Sequence, residues 1–196
     1  VAYASKRGGT AEIAEEIGSD IRRLERISHR FELIGMEPPL EEIRLEAIVG
    51  ELQRYLEARI PRLARGVSLE VDLSSELPPV RGNKVLLTWA LENLVKNSLD
   101  ALGGKGGSIR IQARASSEKE VRVTVSDTGP GVSPEVRSEL FEPGVTTKER
   151  GWGVGLALTR RIVEGVHKGR IELGEEGPKG AVFHIHLPAY SWKAGS

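Results

Sequence analysis

From about Thr10 onward, apolar residues recur every three or four positions: Ile13, Ile17, Ile21, Leu24, Ile27, Phe31 and Ile34. This spacing predicts a helix with a single apolar stripe and Thr10 as its N-cap. Its opposite face carries Glu15, Asp20, Arg22, Arg23, Glu25 and Arg26, and residues 1–10 before it read as a loose polar end. Such a stripe packs either on partner helices or on its own domain; with little else apolar nearby, partner helices are favoured. Gly35, Pro38 and Pro39 end the pattern and form a hinge-like connection. Leu45, Ile48, Val49, Leu52, Leu56 and Ile60 predict a second helix, and the alternating VSLEVDL (67–73) a strand. After Pro78 and Pro79 a helix is expected over about 83–102, closed by GGKGG. SIRIQARA (108–115) and VRVTVSD (121–127) predict an antiparallel hairpin. A glycine-rich polar stretch then runs to about Arg150, broken by a short helix near 134–141. GVGLALTRRIVEGV (153–166) reads as a helix, and GRIEL (169–173) and AVFHIHL (181–187) as strands. There is no internal repeat. The fold class expected is an α/β sandwich (α+β), a mixed, mainly antiparallel sheet covered by helices on one face and preceded by a long N-terminal helix.

Composition narrows the function classes. The 196 residues carry a formal net charge of zero, which argues against binding nucleic acid or anionic membrane by bulk attraction. There are no cysteines, so disulfides and thiolate metal sites are excluded. No apolar run approaches the roughly 18 residues that span a bilayer, and no signal peptide opens the chain. The length suits one good core plus an appendage.

Three motifs carry candidate chemistry. Asn93 and Asn97 lie four apart on one face of the helix WALENLVKNSLDAL, with Asp100 nearly aligned. An amide oxygen is a neutral Mg²⁺ ligand while its NH₂ donates to phosphate oxygens. In DTGPGV, Asp127 ends an apolar-alternating strand and can accept from an exocyclic amine, with Gly129, Gly131 and Val132 beside it. Glycines there let a flat base approach the backbone. In FEPGVTTKERGWGVGLAL, Gly151, Gly153 and Gly155 lead into a helix opening near Val154 and Leu156, a source of bare N–H groups for phosphate. Phe141, Thr146, Thr147 and Lys148 precede it, in a connection long enough to serve as a lid. Taken singly, each motif has an ordinary reading: surface asparagines, an Asp-x-Gly turn, a glycine loop.

In this order and spacing the motifs resemble the Bergerat-type (GHKL) ATP-binding fold, and specifically the N, G1, F and G2 boxes of sensor histidine kinases. The resemblance covers about residues 42–188, including the closing GPKGAVFHIHLP. It implies ATP and Mg²⁺ as cofactors, Asn97 as the metal-binding asparagine and Asn93 as the polar position one turn earlier. It implies Asp127 as the adenine reader, Gly129 and Gly131 as shapers of the base pocket and Phe141 as the lid phenylalanine. Gly151, Gly153 and Gly155 become the phosphate loop, and Lys148 a phosphate contact by charge and place. Two departures stand out: Ala181, where many relatives carry threonine, and Trp152 between the G2 glycines.

Hydrolysing relatives carry a glutamate at the Asn93 position; an amide is a poor general base. Glu92 is offset by about 100° around the helix. The N-terminal helix resembles the second helix of a dimerisation and phosphoacceptor domain, without the H box; His29, followed by Arg30, is not read as the acceptor. The implied organisation is a partial dimerisation helix and linker (1–40), a catalytic domain (41–190) and a tail (191–196). The implied activity is transfer of the ATP γ-phosphate to a histidine and onward to a response regulator receiver domain. Homodimerisation through the N-terminal helix is expected, with no nucleic acid, no membrane contact by this fragment, and a cytoplasmic setting even if the parent is anchored upstream. A hydrolysing ATPase clamp, an anti-sigma-type serine kinase and a non-catalytic nucleotide sensor are the alternatives. His184 and His186 are expected to face solvent, and His167 to cap a helix or complement its dipole.

Overall fold

The computed structural model describes residues 17, 18, 21, 28, 32, 35, 38–57, 66–146, 153–174 and 180–190. The chain divides into two compact units, residues 1–37 and 38–196. In the first, Ile17, Gly18, Ile21, Ser28, Glu32 and Gly35 are all helical, so Gly35 continues the helix rather than ending it. Ile17 and Ile21 of the apolar stripe are 54% and 51% exposed. The rest of that stripe (Ile13, Leu24, Ile27, Phe31 and Ile34), together with Thr10 and His29, lies outside the described residues.

The second unit begins with a feature that periodicity did not predict. Strand β1 (Glu41–Ile43) pairs antiparallel with β3 (Val80–Gly82), setting Ile43 opposite Val80. Three residues beside a proline pair are too few to show an alternation. Helix α1 (Leu45–Glu57) buries Leu45, Ile48, Val49, Leu52 and Leu56, the predicted stripe, while Ile60 lies outside the described residues.

A five-stranded sheet follows the order β2-β4-β5-β7-β6. Its strands are β2 (Val67–Leu73), β4 (Gly107–Ser117), β5 (Glu120–Asp127), β6 (Arg170–Leu173) and β7 (Val182–Pro188). Only β2 and β4 pair in parallel; every other pairing is antiparallel. Strict alternation places Ile109, Ile111, Val123, Val125, Phe183 and Ile185 on one buried face. Helix α2 (Lys84–Leu102) lies over this face and buries Leu87, Leu91, Leu94 and Val95 in the same core. It starts where the Asn83 side chain accepts from the Leu86 N–H (3.2 Å) and stops at Gly103, whose φ of 54° is left-handed. Helix α3 (Gly155–Arg160) continues into a wide π turn (Arg161–Val166) before β6.

The opposite face of the sheet is polar. Arg110 pairs with Glu70 and Arg114 with Asp72 across the parallel strands. His186 belongs to this face but is only 7% exposed, contrary to the solvent-facing reading. Glu120 and Glu172 of the two neighbouring strands close over its ring at 2.9 and 3.1 Å. The His186 contact is the main cause holding the Glu120 carboxyl below its ordinary range. His184 is half-buried beside the Thr124 hydroxyl at 2.9 Å, and burial, with Arg122 adding to it, pushes its pKa down.

His167 takes the first of its two expected roles. It is 2% exposed, accepts the Asn83 backbone N–H on Nε2 at 2.9 Å and lies 2.8 Å from the Ile162 carbonyl through Nδ1. A backbone N–H can only donate, so the ring proton sits on Nδ1. Burial drives its pKa below the ordinary 6.5, so it caps by hydrogen bonding rather than by complementing a dipole with charge. One neutral ring thus ties the end of the α3–π segment to the beginning of α2.

Candidate functional site

Asp127 is the last residue of β5 and only 6% exposed. A buried carboxylate needs donors, and here the backbone supplies them: Oδ1 accepts from the Gly129 N–H at 2.9 Å and the Ala181 N–H at 3.3 Å. The Asp127 N–H donates to the Ala181 carbonyl at 3.0 Å, locking the strand end to the entry of β7. This approach requires Gly180, with a φ of 98°: a Cβ there would fall on the Asp127 carbonyl oxygen. Gly180 was visible in the sequence only as part of the closing GPKGAVFHIHLP, without a role of its own. Ala181, which stands where many relatives carry threonine, serves Asp127 here through its main chain.

Asn93 and Asn97 are both half-buried on α2, whereas Asp100 is exposed one turn further. The Asn93 amide donates to the Gly155 carbonyl at 3.5 Å, a long bond that brings the asparagine helix onto the first residue of α3. The Thr159 hydroxyl donates to the same carbonyl at 2.9 Å. Val154 stands at the N-cap of α3 and is 47% exposed, while Leu156 packs against the core.

Between these two groups runs the connection that the sequence reads as a lid. Gly131 adopts a φ of 80°, and Val132 packs on the core with its carbonyl held by Arg137 at 3.2 Å. A single 3₁₀ helix (Pro134–Glu139) leads to Phe141. Phe141 meets Phe183 of β7 edge-on, with ring centroids 6.3 Å apart. Beyond it, the Gly144 N–H donates to the Gly153 carbonyl at 3.0 Å. Gly153 has a φ of 63°, and a Cβ on it would lie 2.7 Å from the Val145 nitrogen. The two ends of the loop are therefore clasped through bare backbone. Thr146 is exposed at the start of that loop; Thr147, Lys148, Gly151 and Trp152 lie outside the described residues.

The structure thus joins Asn93 to Gly155, Gly144 to Gly153, and Asp127 to Gly129. No group of three or more His, Asp or Glu side chains fit to hold a metal occurs among the described residues. Mg²⁺ takes one or two protein oxygens and completes its shell with phosphates and water, and the amide of Asn97 has an oxygen of that kind. Among the described residues no helix is long and apolar enough to cross a membrane.

Comparisons with known proteins agree with this geometry. The profile of the histidine kinase-, DNA gyrase B-, and HSP90-like ATPase family matches residues 82–191, more than half of the chain. The C4-dicarboxylate transport sensor protein DctB of Rhizobium meliloti (strain 1021) is 30% identical over 188 residues, 95% of this chain. The chain spans 29% of that relative's length. Full-length ShkA, solved with AMPPNP, superposes with a TM-score of 0.73 at 27% identity, covering 90% of this chain and 37% of that one. Histidine kinase ThkA, solved in complex with the response regulator protein TrrA, gives a TM-score of 0.68 at 27% identity, covering 89% of this chain and 49% of that one. The chain belongs to the histidine kinase-, DNA gyrase B-, and HSP90-like ATPase family and carries its histidine-kinase type of catalytic domain.

Proposed function

We propose that this chain binds Mg-ATP and presents the γ-phosphate to a histidine on a dimerisation helix, from which it passes to an aspartate of a response regulator. The observation that carries this reading is the bond from the Asn93 amide to the Gly155 carbonyl, which sets the asparagine helix against the helix that follows the glycine-rich loop. Asp127, held by two backbone N–H groups, takes the exocyclic amine of adenine. Gly129, Gly131 and Val132 wall the base. Asn97, with Asn93 and Asp100 on the same helix face, holds the metal side of the triphosphate. Phe141, Thr146, Thr147 and Lys148 close over it, and Gly151, Gly153, Val154, Gly155 and Leu156 form the phosphate loop and the helix start behind it.

Bound Mg²⁺ supplies charge neutralisation on the phosphates. The chain's own residues orient the nucleotide and exclude water, and position 93 supplies no general base, because an asparagine cannot take a proton near neutral pH. Positioning and neutralisation are then the main contributions to phosphoryl transfer. ThkA has been solved with a response regulator, which supports a receiver domain as the downstream partner here. The exposed Ile17 and Ile21 support a homodimer through the N-terminal helix.

Titration of Mg-ATP against wild type, Asn97→Ala and Asp127→Ala tests the pocket. Each variant is expected to weaken binding at least about tenfold, the loss of one charge-assisted or metal-linked contact. Undiminished affinity in both would remove the assignment. Phosphate transfer to a histidine-bearing dimerisation domain supplied in trans, with little phosphate released in its absence, separates a kinase from an ATP-hydrolysing clamp.

A further inference from the structure

The π turn that follows α3 closes on His167, and both halves of the closure use one carbonyl. The His167 backbone N–H donates to the Ile162 carbonyl at 3.1 Å, and ring Nδ1 lies 2.8 Å from the same oxygen. Lys168, the next residue, has a φ of 54°, the one left-handed non-glycine backbone among the described residues. Its Nζ donates to the Gly165 carbonyl at 2.7 Å and fixes that strained turn beside the ring.

The other edge of the ring meets the start of α2. A Cβ on Gly82 would lie 3.3 Å from Nε2 and 2.6 Å from Leu87 Cδ1, so bare backbone lets β3 close on the imidazole. Nε2 then accepts the N–H of Asn83, the residue whose side chain caps α2. N–H groups at a helix start have no partner within the helix, and this one finds its acceptor 84 residues away. The α3–π segment thus meets α2 through hydrogen bonds at both its ends: Gly155 with Asn93 at 3.5 Å, and His167 with Asn83 at 2.9 Å. The two contacts are about 15 Å apart along α2. The first is long, so the set of one helix on the other leans on the second.

We infer that His167 is a positioning residue for the triphosphate: as a neutral acceptor it pins the end of the α3–π segment to the N-cap of α2, and so fixes where the start of α3 stands against Asn93 and Asn97. This rests on the Mg-ATP reading above and deepens it.

The role depends on the protonation state of the ring. A second proton would sit on Nε2 and point at the Asn83 N–H, donor against donor. The charged neighbours give it no compensation. Arg81 and Lys84 flank Gly82 and Asn83, and Arg161 and Lys168 belong to the ring's own segment, all of them cations. Glu51 is engaged by Lys84, Glu164 of the π turn by Arg160, and Glu120 and Glu172 by His186 of β7. Burial is the main cause holding the His167 pKa below 6.5, so the ring is neutral at pH 7.5 and its contact is lost as pH falls through the folded value.

The test is calorimetric titration of Mg-ATP and of adenosine against wild type, His167→Gln and His167→Leu from pH 7.5 downward, with the ring's protonation followed by its nitrogen NMR signals. Gln keeps an acceptor for the Asn83 N–H and does not titrate; Leu fills the space without an acceptor. At pH 7.5, His167→Leu is expected to weaken Mg-ATP binding at least about threefold, the size of one hydrogen bond, and adenosine binding only slightly. As the wild-type ring takes its proton, Mg-ATP affinity should fall at least about threefold further than in His167→Gln, the protonation of ATP itself being common to both. Should His167→Leu not fold, the wild-type and His167→Gln profiles decide alone. If Mg-ATP and adenosine weaken alike, if His167→Leu binds Mg-ATP as wild type does, or if wild type and His167→Gln follow one pH profile, the inference is overturned while the pocket stands. If wild type binds no Mg-ATP at pH 7.5, the Mg-ATP reading falls and takes this inference with it.

Discussion

The two ends proposed for the base and for the triphosphate are built in different ways. At the base end, a buried carboxylate is fixed by two backbone N–H groups, and Gly180 lets two chain segments touch. At the proposed triphosphate end, the described contacts include a long amide-to-carbonyl bond of 3.5 Å, a half-exposed helix start at Val154 and a loop clasped at its root. One end is preorganised as part of the sheet; the other joins a helix to a loop root near solvent. In the proposed reading, a corner of the sheet meets the base and elements outside the sheet meet the triphosphate.

Gly180→Ala should have the largest effect. Its side chain would meet the Asp127 carbonyl in a left-handed backbone conformation, at a strain of about 1–3 kcal/mol before the clash is counted. The expected outcome is a lowered unfolding free energy in denaturant titration and weakened binding of adenosine, ADP and ATP alike. Gly153→Ala should act at the other end, displacing Gly144 and Val145. ATP affinity is expected to fall several-fold while adenosine affinity holds; equal loss for both ligands would break the distinction between the two ends.

His167 sits where the helices serving both ends meet, so its replacement should move both slightly. The unfolded imidazole takes its proton near 6.5 whereas burial lowers the folded value, so the stability contribution is complete above 6.5 and is lost as pH falls toward the folded value. His167→Gln keeps an acceptor for the Asn83 N–H but loses the bond to Ile162. It should lower stability by about 1 kcal/mol at pH 7.5 and flatten the melting profile below 6.5, leaving the slope that the depressed His184 contributes. The smallest effect is expected on the outer sheet face. Asp72 is held below its ordinary range mainly by the Arg114 hydrogen bond, yet it is solvent-exposed. Asp72→Asn should leave melting temperature and nucleotide affinity unchanged within error.

Much of this was legible in the order of residues. Periodicity placed α2 and β5, and with them Asn93, Asn97 and Asp127, because long regular elements repeat their burial pattern many times. The glycines proposed for the phosphate loop could be picked out because only glycine leaves the backbone bare. Other features depend on which segments meet in space. The parallel pairing of β2 with β4 leaves no local trace, since an alternating strand looks the same in either orientation. His186 reads as a polar outward residue until Glu120 and Glu172 close over it. Ser98 looks like any small helical residue; only the packing makes its hydroxyl an orphan.

The 3.0 Å bond between Gly144 and Gly153 has a consequence for how this domain can diversify. With that root fastened, the number of residues between those glycines can change at little cost to the fold. Doubling the length of a flexible loop adds only about 0.6 kcal/mol of closure entropy. Insertions or swaps inside the clasp should therefore alter the proposed cover of the triphosphate without disturbing the sheet, whereas a side chain at either fastening glycine would strain a left-handed backbone, with φ of 90° at Gly144 and 63° at Gly153.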